Sequence, residues 1–229
     1  MSKSSILKTS IARKMAMALS ALFLLIFLLQ HFAINITSVF RADTFNELSH
    51  FMGTNPIVQY VFQPILIFGV IFHFTMGFIL EVRNKQSRDI RYVKYNGNAN
   101  ASWFSRNMIW SGLAILAFLG LHFVDFWVPE INTKFIEGNW EGTMAGIEGL
   151  RYHTELVHKF ENPVRVAAYC IAFVFLAMHL LHGFTSSFQS LGANNKYTRG
   201  ALRKFAVAYS ILIPAGFIII ALYHHFNIH

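Results

Sequence analysis

Cysteine is almost missing from this chain, and charge is scarce. The one cysteine among 229 residues, Cys170, excludes an intrachain disulfide and any metal cluster held by cysteines of this chain alone. It sits in an apolar run and reads as a small buried hydrophobe. Charged residues make up 13% of the sequence, where a soluble domain carries about a quarter. There is no internal repeat, no low-complexity tract and no glycine-rich dinucleotide fingerprint after a strand. Acidic residues number 11 against 19 basic ones, for a net charge of +8. That excess does not describe a nucleic-acid binder. Such a protein gathers its basic residues on one solvated face, and here they flank apolar runs.

The apolar runs are what the chain has in abundance. Hydrophobic residues reach 55% and aromatic residues 16%, and spanning a bilayer takes about 20 consecutive apolar residues in a helix. Five stretches qualify, at about 15–39, 56–80, 108–128, 163–184 and 205–223. The first follows Arg13 and Lys14 as a signal peptide would, but it is too long for a signal core. No small-residue cleavage site closes it, so it is expected to be retained. Pro56 and Pro163 open the second and fourth spans, in the first turn where proline is best tolerated. The fold expected is all-α, a single membrane domain of five transmembrane helices over residues 1–229.

The loops orient the bundle. Lys3, Lys8, Arg13 and Lys14, six basic residues between Arg83 and Arg106, and Lys196, Arg199, Arg203 and Lys204 all fall on one side. The other side holds Arg41, Lys134, Arg151, Lys159 and Arg165 with most of the glutamates. The positive-inside bias therefore predicts a cytoplasmic N-terminus and a C-terminus outside. Residues 82–105, with their Asn-Gly-Asn-Ala-Asn stretch, are expected to connect the second and third spans flexibly. The outer loop 129–162 is long enough for a short amphipathic helix on the membrane.

Ionisable side chains inside a span are costly and usually functional. Four of the five spans carry histidine: His31, His73, His122, and the pair His179 and His182. His31 lies 17 residues beyond Lys14 and His122 lies 17 beyond Ser105, so both stand about 26 Å from the inner end. The second and fourth spans run the other way. His73 is 17 residues past Pro56 and His179 is 16 past Pro163, which puts them toward the cytoplasmic side. The depths therefore pair His31 with His122 in the outer half and His73 with His179 in the inner half, with His182 as the alternative to His179. Two imidazoles from different helices are what a bis-histidine haem requires. Both axial positions are then filled, which favours electron transfer over oxygen chemistry. Gly77 and Gly183 stand four residues after His73 and His179, and Gly69 four before His73. These glycines are expected to leave the helix faces flat for a macrocycle. His224, His225 and His229 read as interfacial tail residues, and His50, His153 and His158 as outer-loop residues.

In order and spacing, these residues resemble a known family. Leu28-Leu-Gln-His-Phe-Ala-Ile-Asn-Ile, then Phe45-Asn and His50-Phe-Met, look like the first helix and following loop of the dihaem cytochrome b anchor of succinate dehydrogenases and fumarate reductases. His73-x-x-x-Gly77, Trp103-Phe-Ser-Arg106, His122 and His179-x-x-x-Gly183 are similar to its later motifs. The likeness covers essentially the whole chain. It implies two haems b with the same pairing, and a flavoprotein and an iron–sulfur subunit docked on the cytoplasmic face, with 82–106 as docking surface. It implies electrons passing to or from menaquinone in a bacterial cytoplasmic membrane. The quinone would lie near the outer haem, where Glu47 and His50 could handle protons. Lys14, Ser20 and Trp103 lie near the levels expected of haem propionates. One departure is Ala177, where some quinol-oxidising members carry a glutamate; it favours succinate oxidation.

Two other readings stand beside this one. The anchor of a formate dehydrogenase or hydrogenase is also a bis-histidine cytochrome. A transporter or non-haem di-iron membrane enzyme would instead need closely spaced histidine boxes on one side. Here His179-x-x-His182 and His224-His225 lie at opposite ends of the membrane.

Overall fold

A computed structural model describes residues 10–86, 108–144, 146, 148–193 and 197–227. Among them there is no strand, and five helices are long and apolar enough to cross a membrane. The chain is a multi-pass membrane protein with an all-α fold. Its helices are α1 (Ser10–Phe40), α2 (Ala42–Thr54), α3 (Val58–Gln86), α4 (Met108–Ile136), α5 (Tyr152–Phe160), α6 (Pro163–Ser190) and α7 (Arg199–Phe226). The spanning helices are α1, α3, α4, α6 and α7.

The two prolines of the second and fourth spans act as expected, each behind an asparagine cap. The Asn55 side chain accepts from the backbone N–H of Ile57 and Val58, and Asn162 from those of Val164 and Arg165. Asn-Pro therefore starts both α3 and α6, with the cap satisfying first-turn donors and proline supplying none. The third span runs further than its apolar run. It continues through π-helical turns at Phe123–Trp127 and Asn132–Ile136.

Cross-helix contacts fix direction and register. Met17 faces Gly77, Ser20 faces His73 and Phe23 faces Gly69, so α1 and α3 are antiparallel. Leu25 meets Tyr209, Phe32 meets Phe217 and Ser38 meets His224, so α1 and α7 are parallel. Ser111 meets His179, Phe118 meets Phe173 and Asp125 meets Arg165, so α4 and α6 are antiparallel. The end where α1 begins is called the lower end below.

The core is aromatic. Phe160, Tyr169, Phe173, Phe184, Tyr209 and Phe217 interlock across α5, α6 and α7. In the central part of α7, 44% of residues are buried, against 6% for α3. The span without a mid-membrane histidine is thus the packing centre. Outward side chains such as Ile26, Phe68, Trp110 and Leu212 are exposed, as lipid-facing residues of a bundle must be.

Two elements differ from expectation. The outer connection after α1 is helical, forming α2, with Phe45 buried beneath it. The short amphipathic helix in the 129–162 loop is α5, and its apolar face packs on the protein. Its Leu156 and Phe160 are buried, packed with α2, α6 and α7. Of the connector read at 82–105, residues 82–86 belong to α3 and the rest lies outside the described residues, as do Trp103, Ser105 and Arg106.

Candidate functional site: two tiers of paired histidines

The bundle brings four of its histidines into two facing pairs. In the lower tier, His73 of α3 and His179 of α6 have ring centroids 6.4 Å apart with planes at 69°. Each ring is held from a different helix. Ser20 Oγ of α1 lies 3.1 Å from His73 Nδ1, and Ser111 Oγ of α4 lies 3.2 Å from His179 Nδ1. Each serine also donates to the carbonyl three residues earlier, Met17 at 2.8 Å and Met108 at 2.9 Å. A hydroxyl has one proton to give. Where that proton is on the carbonyl, each Oγ can accept from the imidazole, and Nδ1 would then carry the proton and Nε2 keep its lone pair. His182 is half-buried one turn on; among the described residues, the ring facing His73 is that of His179.

The upper tier pairs His31 of α1 with His122 of α4, centroids 5.8 Å apart and planes at 88°. Aromatic rings hold this pair. Phe27 stacks on His31 at 5.4 Å, Phe217 closes on it at 5.8 Å, and Phe118 and Phe126 flank His122 at 5.8 and 5.3 Å. Among the described residues no hydroxyl is hydrogen-bonded to either ring. His122 Nδ1 is buried without a partner among the described residues. The Asn35 amide is 3.5 Å from both ring nitrogens of His31 and makes its short bond, 2.8 Å, to the His31 carbonyl.

The tiers are evenly spaced. His31 follows Ser20 by eleven residues, and His122 follows Ser111 by eleven. Eleven residues are about three helical turns and about 16 Å of rise, so each serine and histidine share a helix face. That repeated Ser-x10-His is visible in the sequence, yet depth counting alone passed over it. The structure places Ser20 Oγ within 3.1 Å of His73 Nδ1.

One carboxylate at the upper tier escaped the sequence reading. Asp125, 2% exposed, lies one turn beyond His122. Its Oδ2 accepts from the Tyr169 hydroxyl at 2.9 Å and pairs with Arg165 Nε at 3.1 Å. The Tyr169 ring is in turn 6.4 Å from His122. An acidic residue inside an otherwise apolar run was the available signal.

Above the tiers is a polar cap. Glu130 bridges Lys134 and Arg151, Arg151 also pairs with Glu155 at 2.6 Å, and Lys134 donates to the Gly53 carbonyl. Lys134 and Arg151 are 1% and 2% exposed, so two cations are balanced by two carboxylates in the protein. Burial opposes the Arg151 charge, but hydrogen bonds and charges from Glu155 and Glu130 outweigh it and push its pKa up. Burial, helped by the Glu130 charge, pushes the Tyr152 phenol up to about 12. His50 is in this cap, with Nδ1 3.3 Å from the Tyr152 hydroxyl. Both approach Gly142, whose φ of 70° and crowded α-carbon suit glycine alone. Glu47 is exposed on α2, and no contact among the described residues joins it or His50 to the upper histidine pair. His224 is not an interfacial tail residue. It is 3% exposed, within 2.9 Å of Ser38 Oγ and stacked edge-on with His153.

The three glycines beside the lower tier face neighbouring side chains. A Cβ at Gly69 would meet Phe23 at 2.9 Å, at Gly77 the Met17 methyl at 3.4 Å, and at Gly183 the Met108 methyl at 3.4 Å. Each permits a close helix approach. At the lower end Arg13 Nε is buried without a partner among the described residues. A cleft of about 210 Å³ there is lined by Thr185, Gln189, Arg199, Leu202 and Arg203.

No family model matches this chain, and no curated protein or solved structure matches it either. The function therefore rests on the donor chemistry. Among the described residues no three His, Cys, Asp or Glu side chains converge to hold a bare metal ion. Paired imidazoles suit a metal whose other ligands come from a macrocycle. Metal–imidazole bonds of about 2 Å on both sides, plus the rings' own radii, put two axial imidazoles about 6 Å apart centre to centre. Both pairs have that spacing, at 5.8 and 6.4 Å. The residues fit haem.

Proposed function

We propose that this chain is a dihaem cytochrome b that anchors a succinate:quinone oxidoreductase and passes electrons between its partner subunits and menaquinone. The observation that carries the dihaem reading is the pair of facing histidine pairs, two tiers about 16 Å apart along the bundle. A haem held by His73 and His179, or by His31 and His122, would supply one-electron transfer.

The residues of this chain do the rest. His73 and His179 present ligand nitrogens in the lower tier, and His31 and His122 in the upper. Gly69, Gly77 and Gly183 leave the lower ligands' helices narrow, while Met17 and Met108 are flexible enough to adapt beside a flat ring. Arg13 and Lys14 offer cations for carboxylates at the lower end. The aromatic sheath of Phe27, Phe118, Phe126 and Phe217 excludes water from the upper tier and lowers its dielectric. Asp125, Tyr169 and Arg165, one turn beyond, form the proton-handling group nearest that tier, better placed for quinone chemistry than Glu47 or His50. The basic lower end, with its arginine cleft, supports docking of the iron–sulfur subunit there, on the side that the positive-inside bias assigns to the cytoplasm. The dicarboxylate chemistry belongs to the flavoprotein partner.

The succinate assignment rests on the resemblance of the histidine, glycine and tryptophan motifs, and the test must reach the partners. Tagged chain is captured from membranes that contain its natural partners. Two haems b per chain, covalent flavin in the captured complex and succinate-driven haem reduction are expected. Capture with a molybdenum- or nickel-containing partner instead would transfer the chain to a formate dehydrogenase or hydrogenase. Succinate-dependent dye reduction by the isolated chain would sink the anchor role.

A further inference from the structure

The lower tier has a feature that the upper lacks, and it bears on how its histidines bind. Ser20 and Ser111 occupy equivalent places. Each sits on a helix that carries no lower-tier histidine, eleven residues before an upper-tier histidine. Each donates its hydroxyl proton within its own helix, to Met17 and Met108 respectively. Each leaves its oxygen facing a histidine Nδ1 on the neighbouring helix, at 3.1 and 3.2 Å.

We infer that Ser20 and Ser111 are positioning residues that hold His73 and His179 as Nδ1-protonated imidazoles, with Nε2 turned to the iron, and so set the lower haem apart from the upper one. This rests on the dihaem reading above. Neutral imidazole places its proton on either nitrogen, and the hydrogen bond at one decides which lone pair remains at the other. A ligand whose distal N–H is hydrogen-bonded is also more basic and better oriented toward its metal. A more basic ligand stabilises the ferric state and lowers the potential. The serines act on both axial ligands of one haem. His31 and His122 have no such acceptor: Asn35 chooses neither nitrogen of His31, and His122 Nδ1 is unpartnered among the described residues. The same fold therefore holds one pair of ligands by hydrogen bonds and the other by aromatic packing.

The test is a redox titration with low-temperature electron paramagnetic resonance on the purified full chain, in wild type and in Ser20→Ala, Ser111→Ala and the double variant. The expected result is two haems per chain throughout. One midpoint rises in each single variant and rises further in the double, its low-spin resonance moves, and the second haem is unchanged. Ser20→Thr and Ser111→Thr keep the hydroxyl and return the wild-type midpoint. Ser20→Cys and Ser111→Cys keep the shape with a weaker acceptor. They give a smaller shift of the same sign and serve where an alanine variant does not fold. A dihaem wild type whose alanine and cysteine variants keep both midpoints and both resonances overturns the serine assignment alone. A wild type without haem overturns the dihaem reading, and the serine assignment with it.

Discussion

The two histidine tiers use one donor set and hold it in opposite ways. In the lower tier, α1 and α4 contribute serine and α3 and α6 contribute histidine, so hydrogen bonds from outside fix each ring. In the upper tier, α1 and α4 contribute the histidines themselves. Their rings are steadied by Phe27, Phe118, Phe126 and Phe217, and a buried ion group stands one turn beyond. A hydrogen bond selects an atom, whereas aromatic packing selects a ring position. Two sites with the same donors on one scaffold can thereby differ in ligand basicity and dielectric, two of the levers a protein has over a haem with a fixed ligand set. A gradient between two sites needs such a difference.

The largest way to break this comparison is to remove a ligand from each tier. His73→Ala and His122→Ala should each halve the haem per chain, measured as the pyridine haemochrome, and each should lose a different component of the redox titration. His179→Ala should copy His73→Ala, and His182→Ala should leave both haems. If His182→Ala lost the component that His73→Ala loses, the lower pair would have to be redrawn around His182.

A second, smaller effect concerns the ion group that only the upper tier has. Asp125→Ala leaves the buried Tyr169 hydroxyl without its acceptor, at a cost of about 1–3 kcal/mol. Thermal unfolding in detergent should record that loss. The spectrum of the upper haem should move and that of the lower should not. Equal movement of both would show that Asp125 acts through the whole bundle.

Packing offers a third, sharper contrast. The Phe32 ring lies where a Cβ on Gly216 would be, while Gly120 opens on an apolar groove where a Cβ would meet nothing within 4 Å. Gly216→Ala should cost about 1–3 kcal/mol by overpacking and disturb the Phe32–Phe217–His31 contacts of the upper tier. Gly120→Ala should leave stability near wild type. Unfolding midpoints of the two variants compare them directly.

The smallest effect is in the cap. Tyr152, with its phenol raised to about 12, stays neutral through the range where an ordinary tyrosine ionises. Its contribution to stability is complete below about pH 10 and is lost as pH rises toward 12. Difference absorbance between wild type and Tyr152→Phe should therefore lack a tyrosinate step near pH 10. A step there would mean that the cap opens to solvent.

Much of the site was legible in the sequence, because membrane physics makes it so. A histidine in a span is expensive wherever it stands, and helical rise turns residue counts into depth. His31, His73, His122 and His179 were thus paired from spacing, and the facing rings follow those pairs. Asp125 could have been read on the same principle. His224 was misjudged because the cap is a tertiary object. Whether an outer-end histidine meets lipid headgroups or Ser38 depends on how α2 and α5 fold over the ends of α1 and α7.

The sequence by itself determined that this protein crosses a membrane five times, where the second and fourth crossings start, and how deep each histidine lies, because hydrocarbon demands apolar length and rise per residue is constant. Only the tertiary structure decided which side chain stands behind each ligand. A serine in a span does not by its identity reveal its neighbour, and a rotation of α1 or α4 by one residue would turn Ser20 or Ser111 away from its histidine. That rotation is set by the packing of Phe32 on Gly216, Phe23 on Gly69 and Phe118 on Phe173, contacts between residues far apart in the chain.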